Sequence, residues 1–357
     1  MLTSEAGNEF SNNLFSDLAP ILALFGERVT QQYLSHTSSI WECVIFACAP
    51  IGIITAVVAA IRVGGTGSLK AIIGRAREPK ADVELELMSS TSLDVCELWS
   101  DGGVARLGGT LPNIVEILVR DRSSKRRCLE LFTLESAIRE GLYTCNSIEK
   151  QEPHLQQMEA LSGNRADLEE IRTEVRMTPN LSFNLAGGTP SKGELIPIAV
   201  IGIVLQLGVI ILAGSSAYSP GLRQKIADMD IPAYAFPMFA VGTLFICIGM
   251  FICAYVVDHS TEDLVWEPDT RFQLHKLLWL QKGSFVGDQE FRSYIISARA
   301  DHIRRGEVLT SRRVQRRPDS TSGNLRALVS PPMLTVVGTC FSISGFISQF
   351  IGLRALH

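Results

Sequence analysis

The sequence contains no Cys-x-x-Cys pair and no cluster of Cys with His, although it carries 8 cysteines and 6 histidines, which argues against a zinc site. It has no Gly-x-Ser-x-Gly elbow, no His-Glu-x-x-His and no histidine-box pattern. For Asp258-His259, at the end of an apolar segment, the sequence identifies no positioned Ser or Cys nucleophile. No catalytic residue, metal ligand or cofactor is assigned, and the chain is read as a non-enzyme. Domain-wide basicity is also missing. With 33 Lys and Arg against 37 Asp and Glu, the net charge is −4, which argues against a nucleic-acid partner. Charge itself is scarce, at 20% of residues with a mean hydropathy of +0.20. Soluble domains carry roughly 25%, so the balance points toward membrane segments.

What is present explains the deficit. Four stretches hold no Asp, Glu, Lys or Arg: residues 43–61, 195–213, 231–257 and 333–353. Each approaches or exceeds the roughly 20 helical residues that cross a hydrocarbon core of about 30 Å. Pro232 and Pro237 fall inside the third, so its helix is expected to start near Ala235. The expected fold is a mainly α membrane protein with four transmembrane helices and a small α+β cytoplasmic domain built from two loops. Glu5, Glu9 and Asp17 occupy what would be a basic n-region, so the N-terminus is not read as a secretory signal and the first span acts as an uncleaved signal-anchor.

Basic residues set the expected orientation. The loop of residues 62–194 holds 17 Lys and Arg and that of residues 258–330 holds 12, while the rest of the chain has four. The positive-inside rule places both loops in the cytoplasm. Segment 1–42, loop 214–230 and the C-terminus then lie on the other side. Asn180-Leu181-Ser182 is the one glycosylation acceptor pattern, and it is expected to stay unmodified in a cytoplasmic loop. Five cysteines fall within the spans, and Cys96, Cys128 and Cys145 fall in the first loop, so no disulfide framework is expected.

The spans carry no ionisable group of the kind transporters use. Their polar residues include Thr55, Gln206, Thr243, Ser342, Ser344, Ser348 and Gln349, read first as interhelical hydrogen-bonding groups. Gly52, Ala56 and Ala60 recur every fourth residue, and Gly338, Gly345 and Gly352 every seventh. Such small-residue faces let helix backbones approach closely, either within the chain or against a second copy or another membrane protein.

In the first loop, Gly64-Gly65-Thr66-Gly67-Ser68 lacks the Gly-Lys-Ser/Thr ending of a phosphate-binding loop. Ser68 instead is expected to cap a basic amphipathic helix at 69–78, with Lys70, Arg75 and Arg77 available to anionic lipid. A second basic cluster, Arg312, Arg313, Arg316 and Arg317, precedes Ser and Thr residues; it is read first as a topology anchor and solvated linker, and second as a lipid contact that phosphorylation of those hydroxyls would weaken. Apolar runs predict strands at 114–119 and 128–132, and again at 274–280 and 291–298. Helical patterns are expected at 17–33, as an interfacial helix before the first span, and at 148–176.

The run Ala49-Pro50-Ile51-Gly52-Ile53-Ile54-Thr55-Ala56-Val57-Val58, with Ile61-Arg62-Val63-Gly64-Gly65 and Ile73-Gly74-Arg75-Ala76-Arg77-Glu78, resembles a family of uncharacterised multi-pass membrane proteins of filamentous fungi, some described as ankyrin-repeat-associated. Glu86 to Ser92, Val95 to Trp99, Trp279 to Gly283 and Leu309 to Arg313 extend the resemblance over most of residues 20–353. It implies no known activity and no functional residues. Unlike larger members, this chain has no ankyrin-type repeat and stops four residues after its last apolar segment. The expected function is a non-enzymatic membrane scaffold or sensor. One alternative is a transporter or channel subunit with a Gln206-lined cavity. The other is a membrane-embedded enzyme, in which His259, His275 or a loop cysteine would converge with acidic residues.

Overall fold

Long apolar segments satisfy their backbone most cheaply as helices, and among the described residues three are long and apolar enough to cross a membrane. The computed structural model describes residues 26–88, 91, 94–101, 103–109, 114–120, 129–145, 180–185, 192–218, 232–269, 273–297, 307–313 and 330–356. They divide into a helical unit (Met1–Glu78, Pro190–Ser260, Arg316–His357) and an α+β unit (Pro79–Thr189, Thr261–Gln315).

The helical unit contains α1 (Glu27–His36), α2 (Ile40–Cys48), α3 (Ile53–Gly64), α4 (Gly67–Ile72), α5 (Lys192–Tyr218), α6 (Ala235–Asp258) and α7 (Pro331–Leu356). The last three have 27, 24 and 26 residues, or about 36–40 Å at about 1.5 Å per residue. Pro331 opens α7 and Pro237 lies in the first turn of α6, where helices tolerate proline, whereas Pro197 lies inside α5.

The segment 43–61, expected as one continuous helix, is broken. Pro50 has no N–H and disfavours helical geometry at Ala49, which lies at φ −123° and ψ 71°. Gly52 then turns through φ +68° before α3 begins, a conformation that favours glycine. The result is a nine-residue and a twelve-residue helix. The interfacial helix expected at 17–33 appears as α1 from Glu27 onward, and residues 17–25 lie outside the described residues.

α6 and α7 form the tightest pair in this unit. Gly242 and Gly249 on α6 are seven residues apart, as are Gly338, Gly345 and Gly352 on α7, so each set returns to one face. The two faces meet antiparallel: a Cβ at Gly345 would stand 2.6 Å from the backbone nitrogen of Ile246, and one at Gly338 would stand 2.9 Å from Ile252 Cγ2. At Gly352 it would meet the Phe239 backbone, and at Gly242 that of Gln349. Backbones this close gain dispersion contacts that lipid cannot supply.

Among the described residues the α+β unit carries eleven strands. β1 (Val95–Ser100) and β2 (Gly103–Gly108) form a hairpin that the apolar runs did not indicate. β3 (Ile114–Arg120), β4 (Leu129–Thr133), β7 (Gln273–Gln281) and β10 (Tyr294–Ser297) make a four-stranded antiparallel sheet in the order β10-β7-β3-β4. β5 (Tyr143–Cys145), β6 (Thr261–Pro268) and β11 (Val308–Arg313) make a second sheet, ordered β11-β6-β5. The run at 291–298 is divided: Phe291 ends β9 (Gln289–Phe291), the partner of β8 (Ser284–Val286), and β10 starts at Tyr294. Leu264, Trp266, Leu277, Trp279 and Val308 form the core with Ala137 of the helix Leu134–Arg139. The helix expected at 148–176 lies outside the described residues.

Candidate functional site

Polar chemistry in the helical unit gathers at the break between α2 and α3. Ending α2 frees carbonyls that a continuous helix would have used. The Nε2 of Gln206 on α5 donates to the Cys48 carbonyl at 2.5 Å. Thr30 Oγ1 on α1 donates to the Ile51 carbonyl at 3.0 Å. Close approach makes both bonds reachable: a Cβ at Gly202, one turn before Gln206, would lie 2.9 Å from Cys48 Cβ. A Cβ at Gly52 would collide with Thr30. Gly52 is therefore spent on the turn and on α1, whereas Ala56 and Ala60 are fully buried along α3. The Gln206 amide caps a helix end.

The polar groups of α6 and α7 are engaged in the same way. Gln349 Nε2 donates to Thr243 Oγ1 at 3.0 Å, Ser348 Oγ donates to the Met238 carbonyl at 3.0 Å, and Thr243 Oγ1 donates to the Phe239 carbonyl at 2.8 Å. α5 differs from its neighbours, with 11% of its apolar window buried against 50% for α6.

After α3 the chain makes a short capped turn of helix. Thr66 Oγ1, rather than Ser68, accepts from the Leu69 N–H at 3.4 Å. The helix expected to reach residue 78 stops at Ile72, because Gly74 at φ +74° closes it: Gly74 N–H donates to the Ala71 carbonyl at 3.0 Å, and Arg75 N–H to the Lys70 carbonyl at 2.7 Å. Leu69, Ile72, Ile73 and Ala76 consequently share no single helix face. The Arg62 guanidinium donates to both carboxylate oxygens of Glu78, at 2.9 and 2.6 Å, and Arg75 reaches Glu78 at 3.2 Å. Arg62 and Glu78 are buried and Arg77 is exposed.

In the α+β unit, Glu97 is 1% exposed and is the hub of a second cluster. It accepts from Arg106 Nε and Nη2 at 3.2 and 3.1 Å, from the Ser182 N–H at 2.8 Å and from Ser182 Oγ at 3.0 Å. Asp263 accepts from Ser311 Oγ at 2.5 Å, and Asn180 Nδ2 donates to that same Ser311. Burial raises the Asp263 carboxyl above its ordinary range; the Ser311 bond opposes this and the charge of Glu262 adds to it. Asn180 is 1% exposed, so the sequon lies in a packed corner where a glycan has no room. Arg313 sits on β11 opposite Thr261 with a buried Nη1, and Arg312 is opposite Glu262; Arg316 and Arg317 lie outside the described residues.

His259 stacks on Tyr255 at 4.6 Å in the helical unit, Cys96 packs with Leu98 and Phe291 in the α+β unit, and His275 lies on β7. Among the described residues no group of three His, Cys, Asp or Glu is placed to hold a metal ion. Sequence reasoning singled out Gln206 but missed its partner, since nothing in the periodicity of residues 195–213 indicates a broken neighbour. Glu97 and Asp263 carried no motif and went unnoticed as buried hubs, and Asn180 was read only as a glycosylation acceptor. No family model, no curated protein and no solved structure matches the chain.

Proposed function

We propose that the chain is an integral membrane protein with four crossings, α2 and α3 together forming the first, and that it acts as a non-enzymatic scaffold or sensor holding an α+β unit at the cytoplasmic surface. The observation that carries this reading is the sheet β10-β7-β3-β4. β3 and β4 precede α5, whereas β7 and β10 follow α6. Hydrogen-bonded strands must share one side of a bilayer, so an even number of crossings separates them, as α5 plus α6 supplies. The excess of Lys and Arg in both loops makes that side the cytoplasm, with the two termini opposite.

The broken first crossing is compatible with lipid because neighbouring helices satisfy the carbonyls at its break. Its 9 and 12 helical residues span about 32 Å at about 1.5 Å each. A scaffold is favoured over conduction because Gln206, Thr243, Ser348 and Gln349 all bond to protein across or along the helices. With the glycine face of α7 occupied by α6, the least buried of the three long helices, and so the one offering most surface to lipid or to a second membrane protein, is α5. Epitope tags placed near residues 160 and 302 and at each terminus test the topology in sealed membrane vesicles. Protease is expected to reach both loop tags from the cytoplasmic side and neither terminal tag. A loop tag and a terminal tag cleaved from the same side would overturn the reading.

A further inference from the structure

We infer that residues 65–77 form a membrane-surface hook that binds the phosphates of anionic lipids, an inference that rests on the membrane reading above. α4 has six residues and none is buried, although isolated helices shorter than about 12–15 residues are marginal in water. Its two ends are closed by Thr66 and by the Gly74 turn, and Ile72 projects at 80% exposure. A short helix with an outward isoleucine that follows directly on an apolar crossing is stabilised by the surface it emerges from.

Charge identifies which lipid. Residues 65–77 contain Lys70, Arg75 and Arg77 and no Asp or Glu. Glu78, which follows this segment, has its carboxylate buried against Arg62 on α3 and also takes Arg75. That ion pair closes a loop of sixteen positions and staples the base of the hook to the end of α3, so α4 and its cations stay close to where the helix ends. Arg77 is exposed at the loop's close, and Lys70 lies one turn before the αL glycine. Cations at this depth favour a net-negative headgroup surface over a neutral, zwitterionic one.

The test uses the full chain reconstituted into phosphatidylcholine bilayers with and without phosphatidylserine, read by hydrogen exchange of the backbone amides of residues 67–75. Phosphatidylserine is expected to slow exchange about tenfold or more, since each cation contributes about fivefold in affinity near an anionic surface. The Lys70→Gln/Arg77→Gln double variant is expected to lose that difference. Ile72→Ser keeps the charges and is expected to speed exchange in both bilayers while leaving the phosphatidylserine effect. Equal exchange in the two compositions would overturn the proposal, as would equal protection by soluble glycerophosphoserine. Amides of residues 235–258 serve as an internal control for folding. Their failure to be protected in any bilayer would sink the membrane reading itself, an outcome separate from failure of the hook.

Discussion

Replacing Gly345 by Ala tests the α6–α7 seam by the addition of one methyl group. The new Cβ would sit 2.6 Å from the Ile246 nitrogen and 2.9 Å from the Phe245 carbonyl carbon, where ordinary contact begins at 3.4 Å. Both obstacles are backbone, so no side chain can rotate away and the helices must part by about 0.8 Å, the difference between those contact distances. Overpacking of this kind costs about 1–3 kcal/mol, against which the better helix propensity of Ala returns about 1 kcal/mol. Gly208 on α5 isolates the collision, because a Cβ there meets nothing within 4 Å. Gly208→Ala shares the propensity gain without the clash. The difference between the two variants, read by reversible dodecyl sulfate unfolding in mixed micelles, is therefore about 1–3 kcal/mol. Gly242→Ala should be less than additive with Gly345→Ala, since a Cβ at Gly242 would lie 2.8 Å from the Gly345 carbonyl oxygen and the helices need to part once. Equal stability of the Gly345 and Gly208 variants, or strict additivity across the seam, would refute the reasoning.

Gln206→Leu removes the donor to the Cys48 carbonyl and is expected to cost about 1–2 kcal/mol, with faster hydrogen exchange at residues 49–56 as the local reading. Glu97→Gln leaves the Arg106 guanidinium without its charge partner in a corner where Glu97 is 1% exposed. It should destabilise the α+β unit by about 3–5 kcal/mol, followed by the fluorescence of Trp99, Trp266 and Trp279. Asp263 has a folded pKa raised above its unfolded value. Its stabilising contribution is thus complete below the ordinary carboxylate range and is lost as pH rises through the folded value. Asp263→Asn should therefore be more stable than the native chain at neutral pH and should lose that advantage in acid. A melting-temperature difference that does not change between pH 4 and pH 8 would show that the carboxyl does not titrate in the fold.

What the sequence reveals follows from how local each cause is. Absence of charge is a local property, and it marks α5, α6 and α7, down to the start of α6 at Ala235. The apolar runs at 114–119 and 274–280 likewise mark where β3 and β7 lie. The break at residues 49–52 also had a local signal, Pro50 followed by Gly52, but hydropathy averages over such a pair. The end of α4 was written in Gly74, whose left-handed turn outweighs the apolar spacing through Ala76. Other features depend on neighbours far along the chain. The heptad of Gly338, Gly345 and Gly352 is visible, while its partner face on α6 is established only by packing. The Glu97 cluster joins residues 85 positions apart, and the Asp263 cluster depends on Asn180 and Ser311, which are 131 positions apart.

The sheet that joins the two loops imposes an order on synthesis. Val115 of β3 pairs with Trp279 of β7, 164 positions later. At about 5–20 residues per second, β3 waits on the order of 10–30 s for that partner to be made. Meanwhile two apolar helices must enter the bilayer, and β3 and β4 wait as a hairpin with an open edge. Another nascent chain on the same messenger displays the same edge, and the β7 of either chain fits both. The speed of elongation and the spacing of ribosomes thus decide whether the sheet closes within one molecule or exchanges strands between two.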